Sequence, residues 1–68
     1  RVSRRYILTP RQRECLSEAR KGKTAAQIAH KLGISEHTAN SYLSEAYRRL
    51  GARNRAHAVA LAVSLGEI

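Results

Sequence analysis

His37, Asn40, Ser41, Ser44 and Arg48 are spaced so that, at about 100° per residue, they gather on one side of a helix. Glu36 and Glu45 stand at the edges of that face. It carries short amide and hydroxyl groups with one guanidinium, chemistry suited to hydrogen bonding with another surface. A solvated helix face is more commonly filled with Glu and Lys at i, i+4 spacing, which support the helix and need no partner. Asn and Ser are weaker helix formers, so their presence asks for a reason. The plain alternative is a solvent face that has drifted polar.

The element that positions these groups is legible opposite them. Ala39, Tyr42, Leu43, Ala46, Tyr47 and Leu50 form one apolar stripe at helical period. Ser35 is placed to N-cap the helix and Gly51 to stop it. "LTPRQ" predicts an earlier helix with Thr9 as cap, Pro10 at its first position and Gln12 completing a capping box. That helix runs to about residue 21, burying Cys15, Leu16 and Ala19 before Gly22 ends it. Thr24 and Gln27 repeat the box and open a short second helix with Ile28, Ala29 and Leu32 inward.

Only Gly33 and Ile34 separate Leu32 from the next cap, so the second and third helices must meet at a tight angle. A short glycine-containing joint of this kind is the helix-turn-helix arrangement, with Gly33 at positive φ and Ile34 plugging the corner. A generic helical hairpin is the simpler alternative. Asn54 caps a fourth helix, about 55 to 65, that is apolar nearly all round: Ala56, Ala58, Val59, Ala60, Leu61, Ala62, Val63 and Leu65. A terminal helix with more than one apolar face in so small a domain is expected to pack on its own core and on a second subunit, with Ala58, Val59, Ala62 and Val63 as the dimer contact; simple burial in the chain's own core is the alternative. The fold expected is therefore all-α, a four-helix bundle with a helix-turn-helix in helices 2 and 3.

With 68 residues, a net charge of +8 and no Met, the chain is expected to be a C-terminal domain, residues 8–68, preceded by a basic linker remnant, residues 1–7. So large an excess of positive charge points to a polyanion. The basic residues Arg4, Arg5, Arg11, Arg13, Arg20, Lys21, Lys23, Arg48, Arg49, Arg53 and Arg55 cluster at expected helix ends and connections, which suits a phosphate backbone better than a membrane surface.

Several classes of function lack the residues they need. There is no Asp, the six Ser have no His and acid arranged around them by any sequence signature, and the glycines are isolated helix stops rather than a phosphate cradle, so no enzyme is expected. His30, His37 and His57 have no partners at metal-ligand spacing, and neither metal nor cofactor is expected. No apolar run is long enough for a membrane span, and no signal peptide is expected. The single Cys15 sits on an apolar stripe and reads as a small buried hydrophobe that fits a reducing cytosol.

"LTPRQRECL" followed by "GKTAAQIAHKLGISEHTANSYLSEAYRRLGARNRAHAVALA" resembles the LuxR-type helix-turn-helix, the C-terminal DNA-binding domain of bacterial transcription regulators. The resemblance spans position 8 to about 65, with Glu14, Leu16, Gly22, Ile28, Ala29, Thr38 and Arg55 in order and no gap. The tail "RAHAVALAVSLG" is most similar to regulators whose N-terminal domain binds acyl-homoserine lactones, the quorum-sensing subgroup. The resemblance implies a third helix in the DNA major groove and a fourth in a dimer contact, bound to an inverted repeat. It assigns base contacts to Asn40, Ser41 and Ser44, all on the polar face found from periodicity, and Arg48 of that face joins them. It assigns phosphate contacts to Thr38 and Tyr42, with Lys23, Thr24 and Arg53 as further ones near helix ends. The partners implied are double-stranded DNA, a second copy, an N-terminal regulatory domain outside this chain, and RNA polymerase, all in the bacterial cytoplasm.

The chain departs from the family at Ala39, where Val is usual, at Asn40, where Lys or Arg is usual, and at Tyr42, often His. Asn pairs bidentately with adenine whereas Arg or Lys prefers guanine, so Asn40 predicts an adenine contact. Gln12 in place of the usual Glu removes a charge and keeps the cap. Two rival readings stand beside this one. The promoter-reading region of an alternative sigma factor shares "PRQRE" and the "LGIS" core, but tends to end soon after its recognition helix. A protein-binding helical module would use the fourth helix as its docking face, with the charge serving solubility.

Overall fold

The computed structural model describes residues 5–68 and holds four helices: α1 Pro10–Arg20, α2 Ala25–Leu32, α3 Glu36–Leu50 and α4 Arg55–Ser64. Arg4, grouped above with the basic residues, lies outside the described residues. No strand occurs among those described.

Local chemistry sets each boundary. Thr9 and Thr24 both close full capping boxes, their hydroxyls accepting the amides of Gln12 and Gln27 while those side chains accept the threonine amides at 3.0 and 2.9 Å. Ser35 caps α3 by accepting from the Thr38 amide, and Asn54 caps α4 by accepting from that of His57. α2 and α3 end in glycines at φ +68°, Gly33 and Gly51, where an L side chain would be strained. At each, the following amide reaches back to close the helix: Ile34 to the Ala29 carbonyl at 3.0 Å, Ala52 to that of Tyr47 at 2.9 Å. The three residues from Gly33 to Ser35 thus carry the chain from α2 directly into α3, forming the helix-turn-helix.

α3 is the central element, packing on α1, α2 and α4. The core comprises Leu8, Cys15, Leu16, Ala19, Ile28, Ala29, Ala39, Leu43, Ala46, Ala58 and Ala62. Six of these eleven are alanine, which lets helices approach closely but leaves Leu16 and Ile28 as the largest fully buried side chains. Ile34 packs half-buried against that core at the helix-turn-helix corner. Burial also pushes the Cys15 thiol up from its ordinary value, so it behaves as a packed hydrophobe.

So thin a core is supplemented by polar ties between distant segments. The Arg55 guanidinium donates through Nη2 to the carbonyls of Ala19, at 2.9 Å, and Lys23, fastening the α1–α2 turn to the start of α4. Tyr6 and Ile7, expected in the linker, are engaged with the domain. Arg13 stacks 3.6 Å over the Tyr6 ring, and Arg49 donates to the Ile7 carbonyl at 3.2 Å.

Candidate nucleic-acid interface

α3 buries one stripe and exposes the other. Ala39, Leu43 and Ala46 are enclosed, Tyr42, Tyr47 and Leu50 pack half-buried beside them, and His37, Asn40, Ser41, Ser44 and Arg48 are exposed. The side chains of Asn40, Ser41 and Ser44 have no intramolecular hydrogen-bond partner among the described residues. Their donors and acceptors are unspent, on a rigid 15-residue helix braced by all three others. That arrangement suits a face that reads hydrogen-bonding edges, because the side chains need not abandon internal partners to bind.

Arg48 differs from its neighbours on that face. Its Nε lies 3.2 Å from Glu45 Oε1, and its Nη2 pairs with Oε2. Arg49 Nε reaches the same Oε2 at 3.1 Å. These pairs lower the Glu45 pKa, chiefly through Arg48, and raise that of Arg48. The base-facing cation of the sequence reading is therefore already paired.

The residues expected on phosphates divide by how free they are. Arg53 is exposed, its backbone amide donating to His57 Nδ1 at 3.0 Å. Lys23 lies 3.0 Å from Glu18 Oε1. Thr24 spends its hydroxyl oxygen on capping α2, and Thr38 accepts from the Ser35 hydroxyl at 2.8 Å. Tyr42 is half-buried against the core. Lys23 and Thr24 sit at the start of α2, where unpaired amides and the helix dipole favour an anion.

The dimer residues expected on α4 do not share one surface. Ala58 and Ala62 are fully buried within the chain's own core, so neither presents a side chain to a second copy. Their methyl groups pack in the core where α4 closes on α1 and α3. Val59 is half-buried, and Val63 is 42% exposed beside Leu65 at 49%. Of the four, Val63 and the outer part of Val59 remain available.

Residues 6–62 match the protein family described as bacterial regulatory proteins, luxR family. The chain belongs to the LuxR family. The match includes all of α1, α2 and α3 and most of α4. Among curated LuxR-type relatives, the transcriptional activator protein BjaR1 of Bradyrhizobium diazoefficiens is 54% identical over 56 residues, covering 82% of this chain and 23% of that protein. The quorum sensing-dependent transcriptional regulator RpaR of Rhodopseudomonas palustris is 51% identical over 65 residues, covering 96% of this chain and 27% of that protein. The chain thus spans about a quarter of the length of these relatives. Among solved structures, the transcription factor GerE superposes with a TM-score of 0.88 at 32% identity, covering 93% of this chain and 94% of that one. The response regulator ChrA of a heme-sensing two-component system superposes at 0.86 with 35% identity, over 97% of this chain and 33% of that one. The chain is thus the helix-turn-helix domain of a LuxR-family transcription regulator.

Sequence reasoning missed three carboxylates that organise the domain. Glu45, at the edge of the polar face, holds two arginines. Glu18 gathers Lys31 at 3.0 Å, Lys23 at 3.0 Å and Lys21 at 3.3 Å, and is held down to about 2, first by Lys31 and then by Lys23, against the opposing effect of burial. Glu67 accepts two backbone amides near the other end of the chain. The i, i+3 and i, i+4 spacings of Glu45 to Arg48 and Arg49 were a readable signal. Glu18 to Lys31 and Glu67 to Leu8 had none, because only the tertiary fold brings them together. Among the described residues, no group of three or more His, Cys, Asp or Glu is placed to hold a metal ion, and no helix is long and apolar enough to cross a membrane.

Proposed function

We propose that this domain binds double-stranded DNA sequence-specifically, with α3 in the major groove and two copies on an inverted repeat. The observation that carries the reading is the set of unspent polar side chains, Asn40, Ser41 and Ser44, on the exposed face of the second helix of a LuxR-family helix-turn-helix. In this geometry the second helix presents such groups to base edges while neighbouring helix ends meet the backbone. Asn40 pairs with an adenine through N6 and N7. Arg48 adds a cation on the same face. Lys23, Thr24, Thr38, Tyr42 and Arg53 serve the phosphates, which fix register without reading sequence.

Dimerisation is proposed through the outer side of α4, around Val63, with half-sites about one helical turn apart. The relatives whose names include quorum sensing support a further reading: the domain serves a regulator with an N-terminal signal-binding part, acting with RNA polymerase in the bacterial cytoplasm.

The test is Asn40→Ala measured against single-base variants of the bound site. Discrimination at one A·T pair is expected to fall by about 1–3 kcal/mol while other positions keep their ranking. An unchanged ranking at every position would remove Asn40 from base reading. Lys23→Ala should instead weaken all sequences alike and lower the salt slope by about 0.9.

A further inference from the structure

The recognition helix carries its own anion beside its cations. Glu45 lies between Ser44 and the half-turn that bears Arg48 and Arg49, so one carboxylate receives two guanidinium groups: Arg48 through Nε and Nη2, Arg49 through Nε. Arg49 is held from a second side by the Ile7 carbonyl. Arg48 remains highly exposed despite the pair, with 71% of its side chain accessible, so it is accessible to a ligand while already oriented. A bidentate carboxylate is the intramolecular counterpart of a phosphate, since both match the planar guanidinium fork.

We propose that Glu45 is a specificity-determining residue for DNA, suppressing nonspecific binding by occupying Arg48 and Arg49 as a built-in substitute for phosphate. The inference rests on the reading of α3 as the DNA-facing helix and concerns how that helix rejects wrong sequences. Nonspecific binding draws essentially all its energy from cation–phosphate pairs. An arginine that must first leave Glu45, and whose carboxylate then faces the phosphates, contributes little to it. On the correct site the base contacts of Asn40, Ser41 and Ser44 add to the electrostatics, and the Glu45 clamp supplies Arg48 in one orientation. Glu45 therefore costs the nonspecific complex more than the specific one, which is how an unfavourable element raises selectivity.

The experiment is Glu45→Gln in the 68-residue chain, with affinity for the selected site and for random-sequence duplex of equal length measured from 50 to 200 mM salt. Gln keeps helix propensity and one acceptor oxygen while removing the charge. Glu14→Gln on α1, which breaks the exposed pair with Arg11, makes the same change in net charge away from α3 and serves as control. For Glu45→Gln, random DNA should bind roughly threefold or more tighter at low salt, with the salt slope steeper by about 0.9 for each phosphate newly engaged. Affinity for the selected site should change less, so the ratio of the two falls. Glu14→Gln should leave the ratio where it was.

Equal tightening on both duplexes, an equal effect in Glu14→Gln, or no change in the ratio would overturn the inference. So would selective weakening on the selected site alone, which would make Glu45 a DNA contact in its own right. Wild-type chain that does not discriminate between the duplexes would instead bring down the DNA-reading account, and this inference with it. A discriminating wild type with an unmoved Glu45→Gln ratio overturns this inference alone.

Discussion

Glu67 fastens the chain's end to its beginning: the carboxylate accepts the amide of Ile7 at 2.8 Å and that of Leu8 at 3.1 Å, across 60 and 59 residues of sequence. Leu8 is a core residue and Glu67 itself is buried, so this contact closes the bundle where α1 enters and α4 leaves. Glu67→Ala would strand those amides, and a buried donor left unpaired costs about 1–3 kcal/mol. We predict a fall of that size in urea-unfolding free energy. Glu67→Gln, which keeps one acceptor oxygen, should lose less.

Arg55 makes the corresponding tie on the other side. Its guanidinium spans the Ala19 and Lys23 carbonyls, a fork that a lysine ammonium on a flexible stem does not reproduce. Arg55→Ala is predicted to cost about 1.5–3 kcal/mol, in line with hydrogen bonds from a charged donor. Arg55→Lys should recover only part of it. Amide hydrogen exchange in the α1–α2 turn should accelerate in both variants.

Glu18 gives the domain an acid limb. Its folded carboxyl is held at about 2 by Lys31, Lys23 and Lys21, below the ordinary value of 4.5. A depressed carboxyl contributes stability that is complete above the unfolded pKa and is lost as pH falls toward the folded one. The Tm of the chain should therefore drop as pH is lowered from about 4.5 to 2. Glu18→Gln should be less stable than wild type at neutral pH and show a shallower pH slope in that window. Equal slopes in the two proteins would assign the acid limb to other carboxyls.

The two sides of α4 should respond in opposite ways. Ala62→Leu inserts volume where the helix touches α1 and α3 and is predicted to destabilise by about 1–3 kcal/mol. Val63→Ser changes an exposed residue and should shift stability by no more than about 0.5 kcal/mol. Its effect should appear in sedimentation and in DNA binding, as a smaller dimer fraction and weaker pairing of half-sites.

What the sequence disclosed, and what it withheld, follows the range of the interactions. The caps at Thr9, Thr24, Ser35 and Asn54 and the stops at Gly33 and Gly51 are settled within three or four residues, so they are legible and appear where expected. The exposure of Asn40, Ser41 and Ser44 is legible for the same reason, because helical period alone sets them opposite Ala39, Leu43 and Ala46. α4 is different. A helix apolar nearly all round has no continuous polar face to mark its outside, so its sequence does not separate Ala58 and Ala62, which pack inward, from exposed Val63. Glu18 to Lys21 is a local i, i+3 pair, but its contact with Lys31 and those of Glu67 require segments far apart in sequence to meet, and composition carries no trace of them.

The central claim is that α3 reads base sequence in a two-fold arrangement. Selection of bound duplexes from random DNA at near-physiological salt, followed by sequencing of the enriched pool, tests it most directly. The account predicts an inverted repeat of fixed spacing, half-site centres about 10–10.5 base pairs apart, with an adenine in each half that loses its preference in Asn40→Ala. An asymmetric single site would contradict the dimeric arrangement. No enrichment, with affinity on the order of 10⁻⁴–10⁻⁶ M for any duplex, would contradict sequence reading altogether.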